Sequence, residues 1–537
     1  MSAPAAAPRR LATAATGRVS ILLPAGVFAA TVALRLIHLD RAYDVFLDET
    51  IYSRIAAGAA SDWRVVFGAY PFYLHSPLSF YLQAFVIDLF GIGGTAIHVV
   101  YSLRVFNVIV AGGVAVLIFA VVSDVSSRRW GLLAGALFAF DPFIISFDSR
   151  LFLETLAMFW VLLGYLLLLP LAGEGVAVAG SPGRSARLRA LAGGFSFGLA
   201  LLTKETSAAL YILPLLWCLW RARPLRRSVA GTALATLIVT YLPYPIIAAA
   251  TGGASEFVNQ KFSGIERLLG IVQATGFNRP SAPSLLSRVS ADLGTFVVTY
   301  VLIGLGGLAT IWLYRRGSPK QRLIATWGFG AFVMLAFQTT QGTIEEQMFY
   351  YLVVPSIVLV ATALSLLSMG RLNSRTARAL LLASLVAVGG FDVVTWVGAH
   401  MRHDTALASA VGWMERHVPA GSRVAPLVDG TQFVLPSYRL LFNPEAGDVS
   451  PGQLQAADTQ FVLTSSLQAE QGYSAASPAL LGWLDQHAQR RFAATGATAG
   501  TVVIWQLAVP LPRTAPPGPV TLSPRAPISV GAPTYRD

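Results

Sequence analysis

Carboxylates, cations and hydroxyls able to move a proton or hold an anion recur at five places in this chain, each beside a long apolar run. The first is Phe46-Leu47-Asp48-Glu49-Thr50-Ile51-Tyr52. A carboxylate facing a polar cavity can act as general base toward a hydroxyl. Two in succession at a helix start can equally serve to cap it, and spacing alone leaves both readings of Asp48 and Glu49 open. The second is Tyr70-Pro71-Phe72-Tyr73-Leu74-His75-Ser76-Pro77-Leu78. Pro77 suits a first helical turn, and His75 has the chemistry to donate to a phosphate, bind a metal or make a local hydrogen bond. The third is Asp148-Ser149-Arg150-Leu151-Phe152-Leu153-Glu154. On a helix Arg150 and Glu154 share a face and pair; alternatively, the guanidinium offers its fork to a phosphate. The fourth, Thr203-Lys204-Glu205-Thr206, interrupts an apolar stretch, either as a simple turn or as charge held at a depth where charge is expensive. The fifth, Glu345-Glu346-Gln347-Met348-Phe349-Tyr350-Tyr351, leads into another apolar run, where the tyrosines are interface anchors or hydroxyl donors.

The elements that must position these groups are membrane helices. Of 537 residues, 55% are hydrophobic and 12% charged, against about 25% charged in a soluble domain. Spanning a bilayer takes about 20 apolar residues. Candidates lie at 19–37, 101–122, 130–147, 151–170, 189–203, 206–220, 229–249, 292–313, 323–338, 348–368 and 379–398. With a cytoplasmic N-terminus carrying Arg9, Arg10 and Arg18, alternate loops hold Arg128/Arg129, Arg184/Arg187/Arg189, Arg221/Arg223/Arg226/Arg227, Arg315/Arg316/Lys320/Arg322 and Arg371/Arg375/Arg378. All of them then face inward, as the positive-inside rule requires. Segment 77–90, apolar but short and carrying Gln83 and Asp88, must not span or this agreement is lost; it reads as an interfacial helix. The five polar clusters then all face the outer side.

The net charge of +12 is spread over these inward loops, which argues for a lipid surface and against nucleic acid. The lone cysteine, Cys218, excludes internal disulfides. Residues 400–510 change character: a helical face at Trp413, Met414 and Val418, short strands at Arg423–Val428 and Gln460–Thr464, and a helix over Leu480–Gln489 predict a small α/β domain. Beyond Pro510, proline and small polar residues predict a disordered tail over 511–537.

The order of the five clusters resembles the membrane-embedded glycosyltransferases of the C superfamily, and most of all the bacterial branch of the protein O-mannosyltransferase and lipid A aminoarabinose transferase group. The likeness covers roughly residues 19–370. It rests on Asp48-Glu49-Thr50-Ile51-Tyr52, His75-Ser76-Pro77-Leu78, Arg150 with Glu154, Leu202-Thr203-Lys204, and Tyr350-Tyr351 before Pro355. The resemblance implies sugar transfer from a polyprenyl-phosphate donor to a hydroxyl acceptor at the outer membrane face, by direct displacement with inversion. It implies Asp48 as base, Glu49 and Glu154 as the acids shaping the acceptor and sugar sites, and Tyr52, His75, Arg150, Lys204, Tyr350 and Tyr351 around substrate. Some members hold a divalent ion nearby, for which Glu49 and His75 are the available groups; two groups do not make a metal site, and no cofactor is otherwise expected.

The expectation is therefore an all-α polytopic protein of the plasma membrane with about eleven transmembrane helices plus interfacial helices. It has a cytoplasmic tail (1–18), a transmembrane glycosyltransferase domain (19–399), an extracytoplasmic α/β domain (400–510) and the tail. Its partners are a polyprenyl-phosphate-linked sugar, a cell-envelope or secreted-protein acceptor, and membrane lipid. A polyprenyl-lipid flippase or secondary transporter would also use intramembrane charge and broken helices, but no inverted repeat is visible and the polar groups crowd one face. A non-catalytic assembly protein is a third reading.

Overall fold

The computed structural model describes residues 10–67, 70–173, 183–271, 285–341, 346–370, 375–428, 430–435, 437–441, 449–471 and 474–508; the expected tail at 511–537 lies outside them. In chain order, α1 (Arg10–Leu36) is followed by α2 (Leu47–Asp62), a two-residue hairpin β1 (Val66–Phe67) and β2 (Tyr70–Pro71), and α3 (Leu78–Phe90). The bundle continues with α4 (Ala96–Val125), α5 (Arg128–Phe140), α6 (Pro142–Asp148), α7 (Leu153–Leu168), α8 (Arg184–Thr203), α9 (Ile212–Arg221), α10 (Arg227–Tyr241), α11 (Pro243–Ala250), α12 (Ala254–Leu268), α13 (Leu285–Arg316), α14 (Pro319–Gln341), α15 (Glu346–Gly370) and α16 (Arg375–Met401).

Among the described residues seven helices are long and apolar enough to cross a membrane, formed by α4, α7, α10 with α11, α13, α14, α15 and α16. They become eight if the bent pair α5–α6 is one span. The expected count of about eleven is not reached. The segments at 189–203 and 206–220 explain part of the difference: α8 opens with Arg184, Arg187 and Arg189, and α9 has only 10 residues after the break at Lys204. The 66° bend between α5 and α6 falls at Asp141-Pro142, where proline cannot continue the preceding helix but suits the first turn of the next. Asp141 caps that turn by accepting from the Ile144 amide at 3.0 Å. At 13 residues α3 is about 20 Å long and too short to cross.

The helices close on one another through small residues, as membrane helices without a hydrophobic driving force must. A Cβ on Gly194 of α8 would run into the Ala233 backbone of α10, so these two helices touch main chain to main chain. Phe138, Phe147, Phe197, Trp327, Tyr350 and Tyr351 fill the interior.

The C-terminal unit holds α17 (Ala406–His417), β3 (Arg423–Pro426), β4 (Arg439–Leu440), α18 (Pro451–Ala456), β5 (Phe461–Ser465), α19 (Ser466–Gln471), α20 (Pro478–His487), β6 (Ala488–Gly496) and β7 (Gly500–Leu507). Its five-stranded sheet has the order β4-β3-β5-β7-β6, parallel from β4 to β5 and antiparallel beyond. Side chains alternate faces along each strand. Val424, Leu463, Val502 and Ile504 meet α17 residues such as Ala410 and Met414 in one apolar layer. Ala425, Val462, Val503 and Trp505 meet Leu454, Leu480 and Leu484 in the other. The expected small α/β domain is present, and the hairpin β6–β7 is an addition that the sequence did not announce.

Candidate active site

The five clusters come together because their helices all end at the same side of the bundle. Asp48 and Glu49 sit in the first turn of α2 and point in different directions. Glu49 is fully buried and accepts four hydrogen bonds: Arg104 Nε to Oε1 at 2.8 Å, Arg104 Nη2 to Oε2 at 2.6 Å, the Leu151 amide at 2.8 Å and the Phe46 amide at 2.9 Å. Arg104 gives its remaining N–H groups to the carbonyls of Leu39 (3.0 Å), Tyr43 (2.8 Å) and Asp44 (2.8 Å). All five guanidinium donors are thus used, and the pair fixes the turn that delivers α2. Of the two readings left open for the adjacent acids, Glu49 takes the capping one.

Asp48 is half-buried and faces the cluster. Its Oδ2 accepts from the Tyr52 hydroxyl at 3.3 Å and from Gln347 Nε2 at 3.0 Å. No described residue makes a hydrogen bond to its Oδ1. Tyr52 lies one helical turn on; burial first, then the neighbouring Asp48, holds its phenol well above the ordinary range, so it stays a neutral donor. The same phenolic oxygen lies 3.4 Å from Lys204 Nζ and accepts from it. The ammonium also pairs with Glu154 Oε1 at 3.2 Å and approaches His75 Nε2 at 3.4 Å. Burial, and then the charge of Lys204, pushes His75 well below the usual imidazole range. His75 is therefore neutral and accepts from the lysine. A continuous hydrogen-bonded chain runs Asp48–Tyr52–Lys204, with Glu154 and His75 flanking its cationic end.

Arg150 stands apart from that chain. Its Nη2 pairs with Glu346 at 2.8 Å and its Nε donates to the Ser146 carbonyl at 2.9 Å. Its guanidinium lies 5.2 Å from the ring centre of Phe152 and 5.6 Å from that of Phe46. Of the two readings left open for Arg150, the pair with Glu154 does not form: Arg150 precedes the helix, which starts at Leu153, so their four-residue separation is not a helical face. Glu346 and Gln347, adjacent at the start of α15, link Arg150 to Asp48. Tyr350 and Tyr351 are fully buried, Tyr350 stacked on Phe147 at 4.6 Å between ring centres and Tyr351 beside Glu154. They pack beneath the cluster and do not line its surface.

Several supporting contacts escaped the sequence reading. Arg35 and Asp148 form a buried pair at 3.2 Å, and Arg35 also donates to the carbonyls of Phe138 and Ala139 near the α5–α6 break. Asn107 donates to the Arg150 carbonyl at 2.6 Å and so holds the turn at 148–152. Glu205 accepts from the Ser76 amide at 3.2 Å and hydroxyl at 2.6 Å and pairs with Lys261 of α12, which anchors the His75 loop. The signal that would have found Arg35, Arg104 and Asn107 is their type: a cation or amide inside an otherwise apolar helix has a partner.

Glu49 and His75 are the candidate metal ligands. Among the described residues no group of three or more His, Cys, Asp or Glu converges. Of the two groups considered, Glu49 is committed to Arg104, and His75 faces an ammonium whose charge opposes a cation.

No protein-family model matches the chain, and no curated protein matches it by sequence. Solved structures do match by shape. The archaeal oligosaccharyltransferase AglB from Archaeoglobus fulgidus, in complex with an inhibitory peptide and a dolichol-phosphate, aligns with a TM-score of 0.61 at 13% identity, over 90% of this chain and 74% of that one. The same enzyme in complex with Zn and sulfate aligns at 0.58 and 14%, over 90% and 72%. ArnT from Cupriavidus metallidurans bound to undecaprenyl phosphate aligns at 0.57 and 14%, over 93% of this chain and 100% of that one.

Proposed function

We propose that this chain, a multi-pass membrane protein with the fold of the C-superfamily glycosyltransferases, transfers a sugar from a polyprenyl-phosphate donor to a hydroxyl acceptor. The observation that carries the proposal is the shared phenol: Asp48 and Lys204 both bond Tyr52, so a base and an anion-binding cation stand in one cluster. Both shape relatives were solved with a polyprenyl-type phosphate, which supports the same class of donor here.

In the proposed step Asp48 Oδ1 takes the acceptor hydroxyl proton, Oδ2 being held by Tyr52 and Gln347. The acceptor oxygen bonds to the anomeric carbon as the bond from that carbon to the phosphate oxygen breaks. The electron pair leaves with the lipid phosphate, and the configuration inverts. Lys204 meets the charge that grows on the leaving oxygen, a stabilisation worth most where water is excluded. Glu154, Tyr52 and His75 orient that ammonium, with Glu154 also at the sugar subsite. Arg150, backed by aromatic rings, is the second cation within reach of an anionic donor.

Placing the cluster on the outer face of the plasma membrane is part of the proposal. Its support is the alternation of the helices: the arginine-bearing ends of α5, α8, α10 and α13 lie opposite the ends that carry Asp48, Arg150, Lys204 and Glu346. Charge gathered at one end of the bundle also favours surface chemistry over transport through the midplane.

The test is turnover by purified protein of undecaprenyl-phosphate-linked sugars, one hexose and one pentose, by wild type and Asp48→Asn. We expect transfer by wild type, and a loss of about 10²–10⁴-fold in the variant with an unchanged melting temperature. Near-normal transfer by Asp48→Asn refutes the assignment of the base.

A further inference from the structure

The C-terminal unit touches the helix that carries Asp48, and it does so on both sides of that residue. The Thr50 hydroxyl shares its proton between the Leu47 carbonyl at 2.7 Å, inside α2, and the Gly430 carbonyl at 3.1 Å, in the turn after β3. Gly430 has φ +82°, a conformation that residues with a Cβ rarely adopt. A Cβ there would stand 2.7 Å from Leu47 Cδ1 and 2.8 Å from Thr50 Oγ1. The turn is therefore pressed directly onto the two residues that bracket Asp48 and Glu49.

A second set of contacts fastens the segment leading into α2. The Asp44 carboxylate accepts from the amides of Leu407 and Ala408, the latter at 3.1 Å, at the free N-terminus of α17. The Asp404 amide donates to the Arg41 carbonyl at 2.9 Å, and the Asp404 carboxylate accepts from the Asp44 amide at 3.3 Å. The apolar layer under α17 also rests on Ala96 and Ile97 at the start of α4. Residues 41–50 are thus held by the membrane bundle through Arg104 on one side and by the C-terminal unit on the other.

We propose that the C-terminal domain is a positioning element for the reaction, with Thr50 and Gly430 as positioning residues that set the register of α2 and so aim Asp48. The inference rests on reading Asp48 as the base. It assigns the domain a role in the rate of transfer whether or not it also binds acceptor. A carboxylate on the first turn of a helix moves with that turn, and the first turn has the fewest internal hydrogen bonds to restrain it. Displacement of a reacting group by about 1 Å costs on the order of 10²-fold in rate, so a loosened clamp is visible in kcat.

The test compares Thr50→Val, Thr50→Ala, Thr50→Ser, Gly430→Ala and Asp48→Asn in the full chain, using whichever of the two undecaprenyl-phosphate sugars wild type turns over. Binding of undecaprenyl phosphate alone and amide exchange over residues 46–52 are read on the same preparations. We expect Thr50→Val, Thr50→Ala and Gly430→Ala to lower kcat by roughly 10- to 100-fold. Donor KM and undecaprenyl-phosphate binding stay within twofold, exchange at 46–52 quickens, and Thr50→Ser restores both rate and protection. Because exchange needs only folded protein, a variant that melts early is still read below its melting temperature. Wild-type kcat and exchange in the Thr50 and Gly430 variants, with Asp48→Asn inactive, overturn the positioning role alone. An active Asp48→Asn overturns the reading beneath it.

Discussion

Glu49→Gln is the change for which the geometry gives the sharpest number. The carboxylate accepts four hydrogen bonds with no solvent contact, two from the Arg104 guanidinium and two from backbone amides. A glutamine offers one acceptor oxygen with two lone pairs and turns two N–H donors toward groups that are themselves donors. At least two of the four donors lose their partner, and the Arg104 charge is left in the interior without a counter-ion. Breaking a buried pair in this way costs about 3–5 kcal/mol, a large share of a typical stability of about 5–15 kcal/mol. The assay is thermal unfolding of the purified protein in detergent, run beside Asp48→Asn, whose half-buried side chain has no such burden. We expect Glu49→Gln to melt well below wild type and to lose transfer through loss of folded protein, whereas Asp48→Asn melts normally and is inactive. The double replacement Glu49→Leu with Arg104→Met removes both charges but strips partners from the Phe46 and Leu151 amides and from the carbonyls of Leu39, Tyr43 and Asp44, so it should stay well below wild type. If Glu49→Gln melts like wild type, the four-bond account of this carboxylate is wrong.

Two further outcomes follow from the same geometry. Lys204→Met removes the cation assigned to the leaving phosphate and should lower kcat by about 10²–10³-fold, with weaker binding of undecaprenyl phosphate; unchanged kcat and binding would detach Lys204 from the donor. The buried Asp44 carboxyl is pushed up to about 6 from an ordinary 3.8, chiefly by desolvation, so between those values the folded state holds a proton that the unfolded chain does not. Its contribution to stability therefore falls as pH rises from about 4 to 6 and is flat above. Melting curves over that range should show this slope in wild type and lose it in Asp44→Asn; the same slope in both would locate the titration elsewhere.

The membrane class and the small α/β unit were legible because each leaves a local signature: apolar runs, and a change of period after residue 400. What escaped was set by pairing across the fold. Arg104 and Glu49 are 55 residues apart in sequence and meet only after α4 has packed beside α2. The span count departs from the expectation where helices are broken: Lys204 divides α8 from α9, and neither is a long apolar run. Arg150 and Glu154 have the spacing of a helical pair, yet a pair of this kind exists only if both residues are inside the helix. Tyr350 and Tyr351 look like surface anchors by type, and only the packing against Phe147 and Glu154 turns them inward.

Apart from Tyr52, one turn inside α2, each residue assigned to the reaction sits where a helix begins, ends or breaks. Asp48 lies in the first turn of α2, His75 in the loop before α3, Arg150 in the turn between α6 and α7, Lys204 at the end of α8 and Gln347 in the first turn of α15. The reason is physical. Inside the bilayer a helix must satisfy its own backbone, and its side chains point sideways to neighbours or lipid; only at helix ends can side chains from several helices converge on one volume. Charge is also cheaper there than at the midplane. Loose ends, however, cannot hold atoms to the fraction of an ångström that catalysis demands. The buried pairs Arg104–Glu49 and Arg35–Asp148 supply that rigidity: each ties the start or end of a helix to a second helix. It follows that substitutions in these two pairs should weaken folding and activity together, whereas substitution of the half-buried Asp48 should separate them.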